Sequence, residues 1–319
     1  MMKDVVTLGE TMVVFTPQTS PMLRYAETFI KNIGGAETNV AIGLARLGHH
    51  VGWVTRLGND DFGRFIMHSV RGEGVDVSKV IFDSNNPTGL YFKEIRNQND
   101  IRVQYYRNNS AASQLSVEDI DVSYIDDAKI LHVTGITPAL SQSAYEAVIY
   151  AMKIAKEHHV KIVFDPNLRR KLWSEDRARS VLKEMVSLSD IVLPGMDEAT
   201  FLFGEQSNEK AAESFLEEGA ELVVMKLGKE GAYVHSKEEQ CTVRGFPVPQ
   251  IVDPVGAGDG FAAGFISGLL DNLSLYEAVR RANAIGAMQV QMRGDYEGLP
   301  NREELATYMN QSSTEDVKR

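Results

Sequence analysis

Short apolar runs alternate with amphipathic stretches from residue 129 onward, and this alternation narrows the possible folds more than any other feature of the sequence. Residues 129–135 (KILHVTG), 161–165 (KIVFD), 190–193 (DIVL) and 221–227 (ELVVMKL) have the length and apolar content of buried strands. Helical stretches at 141–159, 175–188 and 208–218 separate them, and 275–291 is a further helix with Ala and Met on one face. Strands alternating with helices form a mainly parallel sheet covered on both faces. The stretch 232–248 reads instead as two or three short antiparallel strands. In such sheets ligands bind beyond the carboxyl ends of the strands. The polar and glycine-rich clusters fall there: Gly9-Glu10, residues 165–169, Glu198 and residues 228–231. One cleft is expected to collect residues from the whole chain.

Residues 253–270 (DPVGAGDGFAAGFISGLL) hold the strongest chemical signal. Gly256, Ala257 and Gly258 leave little side chain between the backbone and an approaching group. Residues 261–270 are small and apolar, as suits a helix buried against a sheet. A glycine turn entering a helix points backbone N–H groups outward, where the helix dipole favours an anion. Asp259 stands in that first turn. It either caps the helix or takes a proton from a hydroxyl attacking a phosphoryl group held by those amides. The helix start is expected to keep it ionised.

The N-terminal half adds candidates. Residues 5–15 read as a buried strand that reaches Gly9 and changes direction, with Glu10 either facing the cleft or solvated in a turn. A diglycine, Gly34-Gly35, opens a helix over 37–47, and 51–58 (VGWVTRLG) follows as a strand. Another helix covers 65–72. Residues 88–108 read as a β-hairpin around the polar turn 96–100, with Leu90 and Phe92 on one face, Tyr91 on the other and Arg107 at its end. It is either a flap over the cleft or an ordinary surface hairpin.

Of the 319 residues, 33 are Lys or Arg and 44 are Asp or Glu, a formal charge of −11. That balance argues against nucleic acid as a partner, and anionic substrates must be drawn by local cations. One cysteine, Cys241, excludes an intrachain disulfide and is read as a bystander in a strand. No apolar run is long enough for a membrane span, and the sequence opens on a strand without a leader-like segment, so a cytoplasmic location is expected. No P-loop pattern is present. Gly-x-Gly-x-x-Gly fails from Gly256, where Phe261 holds the last position. From Gly258 only the looser form ending in Ala263 matches, late in the chain, which disfavours a dehydrogenase. No nucleophile elbow occurs, and His132 within a strand reads as a core histidine. Phosphoryl transfer fits better: amides at 256–258, a base at Asp259, and Gly228 and Gly231 letting a nucleotide lie on the backbone beside Lys226 or Lys229, unless that segment is a plain turn.

The motif DPVGAGDGFAAGF resembles the signature of the ribokinase/pfkB family of carbohydrate kinases. Gly34, Gly35, Asn39 and Ala41, then Gly58, Asp60 and Gly63, are similar to its N-terminal signature. The resemblance covers nearly the full length. It implies a ribokinase-like (Rossmann-like) α/β fold, a mainly parallel sheet flanked by helices with a small β-sheet lid, in one domain over 1–319 with lid segments at 11–33 and 88–108. It implies Asp259 as base and Gly256, Ala257 and Gly258 as anion hole. ATP would be bordered by Asn167, Lys226, Gly228, Lys229, Gly231 and Asn283. Glu198 would be tied to Mg²⁺, although Gly195 stands where the family has Asn, and Asp253 and Val255 would lie at a monovalent-cation (K⁺) site. Within the family the chain is most similar to members acting on 2-keto-3-deoxy sugar acids, through residues 34–37, 105–107, 135–140, 167–173 and 293–298. That implies Gly34, Tyr91, Tyr105, Tyr106, Arg107, Arg169, Asp259 and Asp295 around the acceptor, with Arg107 and Arg169 suited to its carboxylate. The alternatives are a fructokinase or another sugar kinase of the fold, and a non-catalytic sugar-acid sensor. Self-association through the lid is expected from its exposed edges.

Overall fold

The computed structural model describes residues 2–97 and 100–311. Part of the polar turn expected at 96–100, Gln98-Asn99, lies outside the described residues, as do residues 312–319 of the tail expected to fray.

Thirteen strands form two sheets among the described residues. In chain order they are β1 (Lys3–Leu8), β2 (Met12–Pro17), β3 (Phe29–Gly34), β4 (Val51–Gly58), β5 (Asp76–Asp83), β6 (Leu90–Asn97), β7 (Asp100–Tyr106), β8 (Ala128–Thr134), β9 (Lys161–Asp165), β10 (Ile191–Val192), β11 (Leu222–Lys226), β12 (Ala232–Ser236) and β13 (Gln240–Val243). The large sheet has the order β13-β12-β11-β10-β9-β8-β1-β4-β5. It is parallel throughout except for β12 and β13, which return antiparallel. The small sheet has the order β3-β2-β6-β7. As expected, the first apolar stretch breaks at Gly9-Glu10: β1 lies in the large sheet and β2 in the small one.

Alternation along the strands divides the core. Val6 and Leu8 of β1 and Leu131 and Val133 of β8 pack against the helices Gln142–Glu157, Glu175–Leu188 and Asn208–Glu217. Val5 and Ile130 point the other way, onto Ala36–Arg46, Ala257–Leu270 and Leu275–Gln289. Serines mark several helix starts. Ser141, Ser174, Ser207 and Ser274 each accept a backbone N–H three residues on, which is why those starts are readable to within a residue. The last two helices of the second layer meet through glycine: a Cβ at Gly268 would stand 2.6 Å from the Ala278 Cα, and one at Gly264 2.8 Å from the Ala282 Cα. This close approach fixes the Ala257–Leu270 helix against its neighbour.

Besides the short helix Val122–Asp126 and brief helical turns, three longer elements were not anticipated. Strand β5 is half-exposed at the sheet edge, the helix Met196–Phe203 hides behind a polar cluster, and Arg302–Gln311 is a largely polar helix anchored by Leu305. The stretch 232–248 resolves into two strands, the second ending at Val243. No helix among the described residues is long and apolar enough to cross a membrane. His132 is fully buried, with Nδ1 3.0 Å from Thr7 Oγ1 and Nε2 without a partner among the described residues. Burial lowers its pKa to about 3, so it is a neutral core group.

Candidate active site

A cleft of about 470 Å³ opens at the carboxyl ends of β1, β9 and β11 and the start of the Ala257–Leu270 helix. The small sheet forms one wall through Met12, Tyr91, Lys93, Val103 and Tyr105, with Arg107 just beyond β7.

Asp259 sits in the first turn of its helix and is 9% exposed. Gly256 provides the turn before it at φ 81°, a conformation that favours glycine. Asn39 Nδ2, from the helix after the diglycine, donates to Asp259 Oδ2 at 2.7 Å. Burial pushes the Asp259 pKa up to about 7; the Asn39 hydrogen bond opposes this, Asp165 adds to it, and Arg169 and Lys226 oppose it. This corrects the expectation that the helix start keeps the carboxyl ionised: desolvation outweighs the dipole. A base poised near neutrality suits proton removal from an alcohol as it attacks phosphorus.

Lys226, at the end of β11, pairs with Asp165 Oδ2 at 2.6 Å. Its Nζ lies 3.7 Å from where a Cβ at Gly258 would stand, so the ammonium faces the glycine turn. This is a cradle for a phosphate: an N-terminal helix turn without side chains on one side and a cation on the other. The residues present fit a nucleotide triphosphate. Glu198, the expected Mg²⁺ residue, spends one oxygen on Leu168 N (2.9 Å) and the other on Gly195 N (2.6 Å). No group of three or more candidate ligands surrounds a metal position among the described residues.

On the other side Arg107, 8% exposed, is ion-paired with Glu10, which also accepts from Ser110 Oγ. Glu10 therefore faces inward. Among the described residues the buried Arg107 Nε has no acceptor, and an unmet guanidinium N–H on a cleft-lining arginine favours a side-chain shift toward a bound anion. Arg169 is exposed and lines the same cleft. Tyr91 donates to Asp295 Oδ2 at 2.5 Å and packs on Tyr105 directly across the strand pair, with ring centroids 5.4 Å apart. Lys93 bridges Asp253 and Asp295 behind them, at 2.5 and 2.8 Å. A Cβ on Gly34 would collide with the Tyr91 hydroxyl and the Asp295 carboxylate, so only glycine fits there.

The cleft unites Gly34, Tyr91, Tyr105, Arg107, Asn167, Arg169, Lys226, Val255, Gly256, Gly258, Asp259 and Asp295. It does not include Tyr106. Neighbouring residues on a strand face opposite ways, and Tyr106 lies edge-on to Phe92 on the far face of the small sheet, 54% exposed. Gly228, Lys229 and Gly231 form a turn beyond β11 outside the cleft lining, with Gly228 at φ 58° and Gly231 at φ 104°. The Asn283 side-chain amide holds the Val243 and Arg244 carbonyls. Asp253 is fully buried behind the glycine turn. Ala257, the first residue of the helix, is not among the residues lining the cleft.

Sequence reasoning missed Glu37 and Lys93 as site residues, placed Asp165 in the cleft without a role, and gave Asn39 no role at the base. Glu37 Oε1 accepts from Thr134 and Thr137 Oγ1, both at 2.7 Å, and its other oxygen has no partner among the described residues. Burial raises its pKa. Its carboxyl rests on Gly9, where any Cβ would clash.

The model of the pfkB family of carbohydrate kinases matches residues 2–302. A 2-dehydro-3-deoxygluconokinase of Bacillus subtilis (strain 168) is 45% identical, over 99% of this chain and 98% of its own. Among solved structures, a PfkB protein from Polaromonas sp. JS666 is 43% identical, with a TM-score of 0.88 over 96% of this chain and 99% of that one. A putative ribokinase II from E. coli, solved in complex with ATP and Mg²⁺, has a TM-score of 0.88 at 30% identity, over 97% of this chain and 99% of its own. A glycine turn at a helix start, an aspartate poised beside it and a match running from residue 2 to residue 302 lead to one conclusion: this chain belongs to the pfkB family of carbohydrate kinases.

Proposed function

We propose that the chain phosphorylates the terminal hydroxyl of 2-keto-3-deoxygluconate with ATP, giving the 6-phosphate. One observation carries the choice of an acid over a neutral sugar. Two guanidinium groups, Arg107 and Arg169, face the cleft that holds Asp259, in a protein of net charge −11. The Arg107 Nε has no acceptor among the described residues. A carboxylate satisfies it, whereas a neutral hydroxyl does so less strongly. The activity named for the Bacillus subtilis relative agrees with this reading.

The acceptor then lies between the tyrosine pair Tyr91–Tyr105 and the glycine at 34, its carboxylate toward the arginines and its far hydroxyl toward Asp259. As the hydroxyl oxygen bonds to the γ-phosphorus, Asp259 takes its proton, and the bond from phosphorus to the bridging oxygen of ADP breaks. The amides of 256–258 and Lys226 hold the phosphoryl oxygens. Mg²⁺ supplies charge neutralisation on the phosphates when bound.

A panel of 2-keto-3-deoxygluconate, fructose and ribose, scored by ADP formation, tests the reading. The keto-deoxy acid should show the highest kcat/KM, and a preference for fructose or ribose overturns it. The outer face of the small sheet carries Phe15, Phe29 and Phe92 in mutual ring contact and Tyr106 against Phe92, which supports self-association through that face.

A further inference from the structure

The groups expected to hold a monovalent cation are engaged by donors from the chain itself. The Asp253 Oδ2 accepts from Lys93 Nζ at 2.5 Å and from Gly294 N at 3.2 Å, and its Oδ1 accepts from Val255 N at 3.2 Å. The Val255 carbonyl faces the Gln289 side-chain nitrogen at 3.4 Å, and the same nitrogen donates to the Gly294 carbonyl at 2.8 Å. Asp253 and Gln289 are both fully buried. A potassium ion trades its hydration shell for a ring of oxygens free to point at it. Here three N–H donors of the chain already hold the carboxylate and two carbonyls point at the Gln289 amide, so the residues do not offer the ring of free oxygens the ion needs.

The charge such an ion would bring is present in another form. Lys93 is 1% exposed, and Asp295 Oδ1 is its second partner at 2.8 Å. Burial pulls its pKa down, but Asp295 and Asp253 outweigh burial and hold it above the ordinary lysine value. One ammonium thus lies between the carboxylate that opens the glycine turn and the carboxylate that orients Tyr91. An ion cluster of this kind is weak as a source of stability, because desolvation offsets most of its Coulomb gain. It fixes geometry instead.

We propose that Lys93, together with Gln289, takes the place of a bound monovalent cation behind the phosphate-binding turn, so that turnover does not depend on such ions. Lys93 is a positioning residue, acting through Asp253 and Asp295. The inference rests on the chain acting as a kinase of its family, not on the identity of the acceptor.

The test begins with the full-length wild-type protein alone, melted in KCl and in tetramethylammonium chloride at equal ionic strength. Equal melting temperatures are expected. A potassium-specific rise reveals an ion site and overturns the proposal. This arm needs no turnover, so it decides independently of the substrate reading. Initial rates in the same two salts, with ADP read by chromatography so that no coupling enzyme brings its own ion requirement, should also be equal; activation by potassium overturns the proposal. In Lys93→Met, kcat should fall by about tenfold or more, as misplaced supporting groups cost. Added K⁺ or NH₄⁺ should restore part of the loss, and tetramethylammonium should not. A loss that neither ion restores gives Lys93 a structural role only and overturns the proposal. Should Lys93→Met fail to fold, the two wild-type comparisons still decide.

Discussion

With its pKa pushed from 3.8 up to about 7, Asp259 changes protonation state inside the working range of an enzyme. As a base it works ionised, so kcat/KM should climb with pH and level off above about 7. For stability the sign is the opposite. A carboxyl that holds its proton more tightly in the fold than out of it adds stability that is complete below pH 3.8 and lost as pH rises through about 7. Asp259→Asn should therefore be more stable than wild type at mildly alkaline pH, by no more than about 4 kcal/mol for a shift of this size, as chemical denaturation would read. Turnover should vanish while acceptor binding persists, and normal turnover would remove Asp259 from the mechanism. Arg169→Ala is the cleaner arginine test, because Arg107→Ala strands Glu10 as a buried charge. Losing one charged hydrogen bond should raise KM for the acid by roughly 10- to 100-fold and spare a neutral sugar; equal losses on both would contradict the assignment. At this scale the sequence was legible where a motif fixes backbone, as at Gly256 and Asp259. It was not legible where a partner lies far along the chain: Asn39 reaches Asp259 across 220 positions, and nothing local marks that contact. Lys93 could have been found, since it shares a strand face with Tyr91 two residues before it.

Among the elements, strands with continuous burial and helices with serine caps were readable. Strand β5 was not, because only Val77 in it is fully buried and an edge strand lacks the continuous apolar run of a covered one. The helix Arg302–Gln311 escaped for a similar reason: Leu305 alone marks its inner face among the buried residues. The small sheet shows how one register decides two roles. Tyr105 lines the cleft, and its neighbour Tyr106 joins the aromatic outer face. Tyr106→Ala should leave KM for the acceptor unchanged and weaken self-association in sedimentation measurements, while Tyr105→Ala should do the reverse. A KM effect from Tyr106 without any change in assembly would misplace it.

Across the whole molecule, the cleft draws on segments from Glu10 to Asp295, and the formal charge of −11 leaves anion capture to a few inward-facing cations. The large sheet that positions them is not uniform. Its member β10 has two residues, pairing through Ile191 and Val192 with β9 on one side and β11 on the other. By contrast, β8 and β9 pair at five positions. Strand β11, which supplies Lys226, and the returning pair β12–β13 thus join the rest of the sheet across a short seam. Local opening follows the weakest ladder. Amide hydrogens of β10 to β13 should then exchange with deuterium ahead of those of β1, β4 and β8, as one group rather than singly. A nucleotide held between Lys226 and Gly258 would stitch the two sides together, and its arrival should be visible as slowed exchange along that seam.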